Sequence, residues 1–518
     1  MPSWWGNSPS SNEKKERSVK LLPILDTQRP ALIACIAIVV FSIVFNFVFF
    51  DLKTIQGQLY VVFVEAVLQG IIFRIAIAGD DTNFDFSPKR ALQIVCLLSS
   101  ISFAFKALFV QHLASLPMQG DMSDIFPFTL GNNLGVIPIA DARIDGIANV
   151  LYQCGMCVGS SEIPLNEPGI AYLFVLISTI AGEFNQHILW ITLHAVNFAA
   201  ALVLLKTAKH CFPNSRYVIL LPLIYILLTD VHGVTLALHK DGLIAFLLVS
   251  MYYVNFRLSF SGIANPLLFV LCSACLIVFT YELRSGLLAF IFGMTVLNLI
   301  FNWKNRFLYI QIIVVSMVAI WLLASFGGIG TRLDVSVKRV ADKLMFGSDN
   351  HLDVENLSYT TSEKESLLGK VRLHRIEPGN FFYAPFVKSA LFFLLPLPVG
   401  EFVNFQDAFH KIATLLYWCI FPLFLVGVYR IVTSRNSQDW YLLTMFALCM
   451  APILGAGSMI YPRYRIMASA FLLLVACLGA TRISEKVVTR SVALSFFMVT
   501  AVVLGYDKLH ELARQLTS

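Results

Sequence analysis

The feature that most constrains this chain is its series of long apolar stretches. A helix needs about 20 apolar residues to cross the hydrocarbon core of a bilayer, and the sequence offers about 13 such stretches, in a range of roughly 11 to 14. They lie at about 30–50, 57–79, 91–112, 186–206, 217–230, 240–256, 263–280, 286–302, 307–327, 412–432, 440–459, 464–482 and 488–506. Only 14% of the residues are charged, against about 25% in soluble domains. The sequence therefore predicts an all-α, polytopic transmembrane protein.

Lysine and arginine are shared unequally between the two sides of these predicted spans. The polar tail at 1–29 is basic and lacks the cleavage site of a signal peptide, which predicts a cytoplasmic N-terminus. With that end inside, most Lys and Arg of the short connections fall on the same side, as the positive-inside rule requires. We expect a multi-pass protein of the bacterial inner membrane, with no nucleic-acid partner.

Two long connections then face outward, at 113–185 and 331–411. Each contains an apolar stretch, 169–184 and 385–400, that is short and bounded by Pro, Gly or charges, which predicts an amphipathic helix at the membrane interface. Long connections in compact proteins are usually functional or disordered. The chemistry is therefore expected on the non-cytoplasmic, periplasmic face.

The first outer loop carries acids at helical spacing. Asp141 and Asp145 are four residues apart with Arg143 between them, so both carboxylates share one face of a helix. A carboxylate there can take the proton of an acceptor hydroxyl. Asp121 and Asp124 are further acids of the same loop. The alternative is a solvated loop helix with incidental charges.

Further charges stand at the outer ends of predicted spans. Lys240 and Asp241 open one span, Arg284 follows another, and Arg463 and Arg465 flank a tyrosine just before a third. Guanidinium groups bind phosphate bidentately, and a lysine acts as a point charge. The alternatives are a snorkelling lysine capped by its aspartate and an arginine paired with a neighbouring acid.

The order of these features resembles that of GT-C-type membrane glycosyltransferases, the group that includes protein mannosyltransferase-like and aminoarabinose transferase-like enzymes. The likeness rests on the acidic helix "DARIDGIA", the later "AGE", the "HKDG" that opens a span, and the "RYR" before a late helix. It implies a module at 80–330, preceded by an extra transmembrane pair at 30–79 and followed by a C-terminal transmembrane module at 412–518. It also implies an essential aspartate, best matched by Asp141. Ala142 stands where the family often has a second acid, which leaves the need for a divalent cation open.

The resemblance implies a polyprenyl-phosphate-type sugar donor and a lipid or glycan acceptor. Asp141 or Asp145 would be the base, and Arg143, Lys240, Asp241, Arg284, Arg463 and Arg465 would bind substrate or its phosphate. No cofactor motif for a nucleotide is present. Two alternatives stay open: a polysaccharide polymerase or ligase that uses a diphosphate-linked glycan, and a lipid or glycan transporter or flippase. The transporter alternative predicts charged and broken helices inside the membrane.

The charged residues Glu65, Arg74 and Lys106 lie inside predicted spans and have no assigned role. For Arg74 and Lys106 we expect snorkelling toward the interface.

Overall fold

The computed structural model describes residues 21–50, 52–78, 88–115, 169–213, 215–236, 238, 240–261, 266–283, 288–301, 306–327, 393, 405–434, 436–455, 465–481 and 483–517. Every regular element within these ranges is a helix, and they contain no strand. The all-α prediction is thus confirmed for the part of the chain that the structure describes.

The described ranges form fifteen α-helices, numbered in chain order. They are α1 Leu21–Phe49, α2 Ile55–Ala78, α3 Pro88–Ser115, α4 Gly169–Ala181, α5 Gln186–Cys211, α6 Leu220–Leu227, α7 Thr229–Leu236, α8 Asp241–Ser261, α9 Pro266–Leu283, α10 Leu288–Phe301, α11 Arg306–Gly327, α12 Phe405–Thr433, α13 Ser437–Gly455, α14 Arg465–Thr481 and α15 Glu485–Thr517. A short 3-10 turn, Arg216–Ile219, precedes α6.

Five of these helices are long and apolar enough to cross a membrane, in α1, α2, α3, α5 and α12. Shorter apolar helices occur in α6, α8, α9, α11 and α14. Large apolar side chains on the outside of the bundle are exposed, among them Val40 and Phe41 of α1 and Phe496 and Phe497 of α15. An apolar exterior of this kind suits lipid and would be unfavourable in water.

Most predicted spans coincide with a helix, but one does not. The stretch at 217–230 is broken: α6 ends at Leu227, Leu228 has extended backbone with ψ 100°, and α7 begins at Thr229. The predicted interfacial stretch at 169–184 is largely α4, whose Ile170 and Phe174 are fully buried in the bundle. The second stretch, 385–400, and most of both outer loops lie outside the described residues.

Helix α14 forms the core of the C-terminal half. Its side chains from Arg465 to Ala480 are all buried, as expected of a helix surrounded by others. It packs against α6, α8, α12 and α13. Its contact with α12 is close because Gly427 and Gly479 bring the two backbones together.

Several helices meet at one end of the bundle. We call this end the polar end, and it contains His187, Asp230, His410 and Arg465. Aromatic contacts join the elements there: Phe105 of α3 stacks on His232 of α7 at 3.5 Å and lies 6.0 Å from Phe409 of α12. The last part of α3 and the first turns of α12 and α14 therefore lie together. Residues 116–168, 328–404 and 456–464 are attached to these three helix termini.

Candidate functional site

Five of the residues predicted from the sequence lie outside the described residues. They are Asp141, Arg143, Asp145, Arg284 and Arg463. Their roles stay predictions.

The pair at the start of α8 is recessed within the bundle. Asp241 is the first residue of α8 and is buried, and Lys240 is half-buried. The next residue, Gly242, lies beside Asn197 of α5, since a Cβ there would be 2.8 Å from the Asn197 Oδ1. Asn197 is about 16 Å along α5 from its first residue, at 1.5 Å per residue. The Lys-Asp pair is thus set back from the start of α5.

Arg465 has partners within the protein. It is the first residue of α14 and is fully buried. Its Nη1 donates to Thr414 Oγ1 at 2.7 Å, and its Nη2 donates to Asp230 Oδ1 and to the His410 carbonyl, both at 3.1 Å. Its Nε lies 3.0 Å from Asp230 Oδ2, an ion pair whose atoms are not aligned for a hydrogen bond. The sequence predicts Arg465 as a substrate or phosphate ligand on the outer side, and in the structure its guanidinium is buried and bound by residues of α7 and α12.

Asp230 and His410 complete a buried ionic cluster that sequence reasoning missed. His410 Nδ1 lies 2.6 Å from Asp230 Oδ1, and the Asp230 side chain is fully buried. One carboxylate therefore binds an imidazole from α12 and a guanidinium from α14. The available signal was Asp230 itself, because an acid inside an apolar stretch is costly unless it has partners.

Polar and aromatic groups of α12 and α14 contact the Arg465 side of the cluster. The Arg465 guanidinium lies 5.1 Å from the centre of the Tyr417 ring, a cation–π contact. The Tyr417 hydroxyl is hydrogen-bonded to the Ser469 hydroxyl, which donates to the Arg465 carbonyl at 2.6 Å. These contacts fix the position of the guanidinium.

A second buried ion pair joins α2 and α3. Lys106 and Glu65 are in direct contact, and both side chains are fully buried. Gln69 donates to Glu65 Oε1 at 3.1 Å and accepts from Ser99 at 3.0 Å. The expectation that Lys106 snorkels is wrong, because Glu65 offers a charged partner inside the bundle. Arg74 is exposed, and its snorkelling stays a prediction.

Two histidines lie between the Glu65–Lys106 ion pair and the cluster of Asp230, His410 and Arg465. His194 of α5 is hydrogen-bonded to Ser102 at 2.9 Å and stacks on Trp190. His232 of α7 lies 5.5 Å from His194 between ring centres, and its Nε2 lies 2.8 Å from the Ile226 carbonyl across the helix break. Both histidines are buried.

A third set of contacts fixes the residues that precede α5. Glu183, from the "AGE" stretch, accepts from the Lys53 amide at 2.9 Å and is nearly fully buried. Gly182 before it has φ +71°, a conformation that glycine adopts readily. Asn185 then caps α5 by accepting from the His187 amide at 2.8 Å. The motif quoted in the resemblance thus has a structural role here.

The described residues contain no group of three or more His, Cys, Asp or Glu side chains suited to a metal ion. The acids of the first outer loop are not among those residues, so the role of a divalent cation stays open. Comparison of the chain with models of protein families, with curated proteins and with solved structures finds no match.

Proposed function

We propose that this chain is an integral membrane glycosyltransferase that moves a sugar from a polyprenyl-phosphate-type donor to an acceptor on the non-cytoplasmic face. One observation carries the proposal. The buried cluster of Asp230, His410 and Arg465 lies at the polar end, to which the connections containing Asp141 and Arg463 are attached. Loops anchored on a rigid scaffold are where catalytic residues usually lie.

The recessed pair of Lys240 and Asp241 adds to this support. Both residues stand within the bundle at the start of α8 and not at its rim. A lipid-linked substrate has an apolar tail that stays in the bilayer. Its charged phosphate therefore needs a cation below the outer surface of the protein. A lysine set back between helices suits such a phosphate, and a charge in a water-poor cleft acts strongly.

The proposed reaction is a single displacement with inversion. Asp141, or Asp145 on the same helical face, takes the proton of the acceptor hydroxyl. The acceptor oxygen forms a bond to the anomeric carbon as the bond from that carbon to the phosphate oxygen breaks. Lys240, Arg284 and Arg463 neutralise the phosphate that leaves. Arg143 and Asp241 are substrate-binding candidates, and Arg465 acts through the cluster that it holds together.

The test uses purified protein in lipid vesicles with a panel of undecaprenyl-phosphate sugars and a total lipid extract as acceptor. We expect release of free undecaprenyl phosphate, which is measured without knowledge of the acceptor. Asp141→Asn should lower that release at least a hundredfold, about the lower end of what a general base contributes. Glu485→Gln changes an exposed carboxylate at the first residue of α15, and as the matched control it should keep wild-type release. Near-wild-type release by folded Asp141→Asn would exclude this base.

The arginine of the late connection has a control of its own. Arg463→Ala should raise the KM for the lipid-linked sugar or lower kcat, because it removes a phosphate partner. Arg430→Ala changes an exposed arginine in the last turn of α12, about 30 Å from His410. It should leave both constants unchanged. Equal effects of the two substitutions would argue for a general charge effect and against a phosphate site.

A transporter or flippase is a second candidate, favoured by one observation. The helix break at Leu228 lies beside buried charged groups, the arrangement that a transport site requires. Reconstituted vesicles distinguish the two functions. Movement of a fluorescent polyprenyl phosphate between leaflets, without release of sugar or a covalent product, would favour transport.

A further inference from the structure

His410 is the accessible member of the buried cluster. Its side chain keeps 7% exposure, whereas the side chains of Asp230 and Arg465 have none. Its Nδ1 is bound by Asp230, and the hydrogen bond found for the imidazole among the described residues runs through that atom. The carboxylate therefore orients the ring and leaves Nε2 as the atom that can bind a ligand.

We propose that His410 binds the phosphate of the lipid-linked donor through its Nε2, and that Asp230 and Arg465 are positioning residues for it. The inference rests on the proposed function and names the substrate contact that the sequence did not reveal. With Asp230 accepting from Nδ1–H, the imidazole carries a second proton on Nε2 when it is an imidazolium, and Nε2–H donates to a phosphate oxygen. No bond to the phosphate changes in this step.

The charge balance of the cluster favours an anion once His410 is protonated. Arg465 and the imidazolium carry two positive charges against one carboxylate on Asp230. Excess positive charge in a water-poor site is costly, and a phosphate offsets that cost. The first residues of α7 and α14, Thr229 and Arg465, are also in or beside the cluster, so two positive helix ends face it.

The pH dependence of this contact follows from the groups around His410. They are Asp230 of α7, Arg465 of α14, Lys411 and Tyr417 of its own helix, and His232 and Lys106 beyond the Phe105 ring. A charge-assisted hydrogen bond from His410 Nε2–H to a phosphate requires the imidazolium form, so the contact is tested over a range of pH.

The experiment measures binding of undecaprenyl phosphate to the full-length protein in nanodiscs between pH 6 and 8.5. His410→Gln should bind about tenfold or more weakly at pH 6, the loss of one charge-assisted hydrogen bond. His410→Arg keeps a constant charge and should bind with less dependence on pH than the wild type. His210→Gln, at the exposed last turn of α5, is the matched control and should behave as the wild type. The lipid phosphate also titrates in this range of pH. Its contribution to the pH dependence of binding is the part that the wild type and all variants share.

Two further ligands identify the source of the phosphate. Inorganic phosphate and phosphatidylglycerol are tested as competitors of undecaprenyl phosphate. Weak competition by both supports a site for a polyprenyl-linked phosphate. Full displacement by millimolar inorganic phosphate, or by phosphatidylglycerol, would overturn that assignment in favour of a free anion or a general headgroup.

A chemical measurement on the wild type covers the case in which His410→Gln does not fold. Diethylpyrocarbonate modifies accessible imidazoles, and mass spectrometry locates the modified residues. Undecaprenyl phosphate should protect His410 and leave His210 unprotected. Equal modification of His410 with and without the lipid would overturn the inference.

The outcomes separate the inference from the proposed function. Binding that depends on His410, without sugar transfer from any donor, supports the phosphate site and refutes the transferase. Sugar transfer with wild-type binding and pH dependence in His410→Gln refutes the phosphate site and keeps the transferase.

Discussion

The contact between α12 and α14 makes the most quantitative prediction. A Cβ on Gly479 would collide with the Leu423 carbonyl oxygen and lie 2.9 Å from the Gly427 amide nitrogen. A Cβ on Gly427 would collide with the Val475 carbonyl oxygen. Ordinary contacts between such atoms are about 3.5 to 4.0 Å. Gly479→Ala must therefore separate two backbones by about 1 Å, and no side chain can turn aside to avoid it.

The expected cost is about 1 to 3 kcal/mol for either Gly427→Ala or Gly479→Ala, the usual range for overpacking. Gly70→Ala in α2 is the matched control because nothing lies within 4 Å of a Cβ there. Alanine is the better helix former by about 0.5 to 1 kcal/mol, so this control should be slightly stabilising. The double variant Gly427→Ala/Gly479→Ala should cost less than the sum of the two, because one separation of the helices relieves both collisions.

The assay is thermal inactivation of the detergent-solubilised protein, followed as the monodisperse fraction on size exclusion after heating. Gly479→Ala should lose that fraction at a lower temperature than the wild type, and Gly70→Ala at the same or a higher one. Wild-type behaviour of both Gly427→Ala and Gly479→Ala would refute the close contact between α12 and α14. Strict additivity in the double variant would show that the two glycines lie in separate contacts.

Three other substitutions test the buried polar contacts. Lys106→Met should lower the free energy of unfolding by about 3 to 5 kcal/mol, because it leaves the buried Glu65 carboxylate without its charged partner. The double variant Glu65→Leu/Lys106→Met should recover much of that loss. A double variant no more stable than Lys106→Met would contradict the ion pair. Gly182→Ala should cost about 1 to 2 kcal/mol in thermal inactivation, since its φ of +71° strains a residue with a Cβ. Thr235→Val removes the acceptor that Asn197 Nδ2 reaches at 2.7 Å and should cost about 1 to 3 kcal/mol, whereas Thr235→Ser should cost less; equal losses would point to packing instead of the hydrogen bond.

The helices were predictable from the sequence, because a long apolar run has few other ways to satisfy its backbone in a membrane. The break between α6 and α7 was not. Leu228 is neither proline nor glycine, and what surrounds the break is tertiary: the Thr229 hydroxyl donates to the Phe409 carbonyl at 2.5 Å, and His232 Nε2 lies against the Ile226 carbonyl. A span read as continuous thus consists of two short helices.

The partners of the buried charges could not be predicted for a related reason. Asp230 and His410 are 180 residues apart, and Asp230 and Arg465 are 235 apart. No local spacing brings them together, so the sequence pattern alone does not predict either ion pair. Glu65 and Lys106 are also distant in the sequence, at a separation of 41 residues, so their pairing is not predictable from local spacing either. In each case the sequence revealed an unusual charge, and the fold supplied its partner.

The buried cluster is better explained by positioning than by stability. Replacing a buried ion pair with well-packed apolar residues is often neutral or stabilising, so stability alone gives no reason to keep Asp230 and Arg465 inside an apolar bundle. What the ionic contacts do provide is direction, because each bond fixes the orientation of one group against another. They tie the start of α7 to the first turns of α12 and α14, the ends at which the chain leaves the connections. A site made from loops needs such a fixed base, since a displacement of about 1 Å between reacting groups can lower a rate a hundredfold. Under the proposed function, that requirement accounts for the place of Asp230, His410 and Arg465 at the polar end.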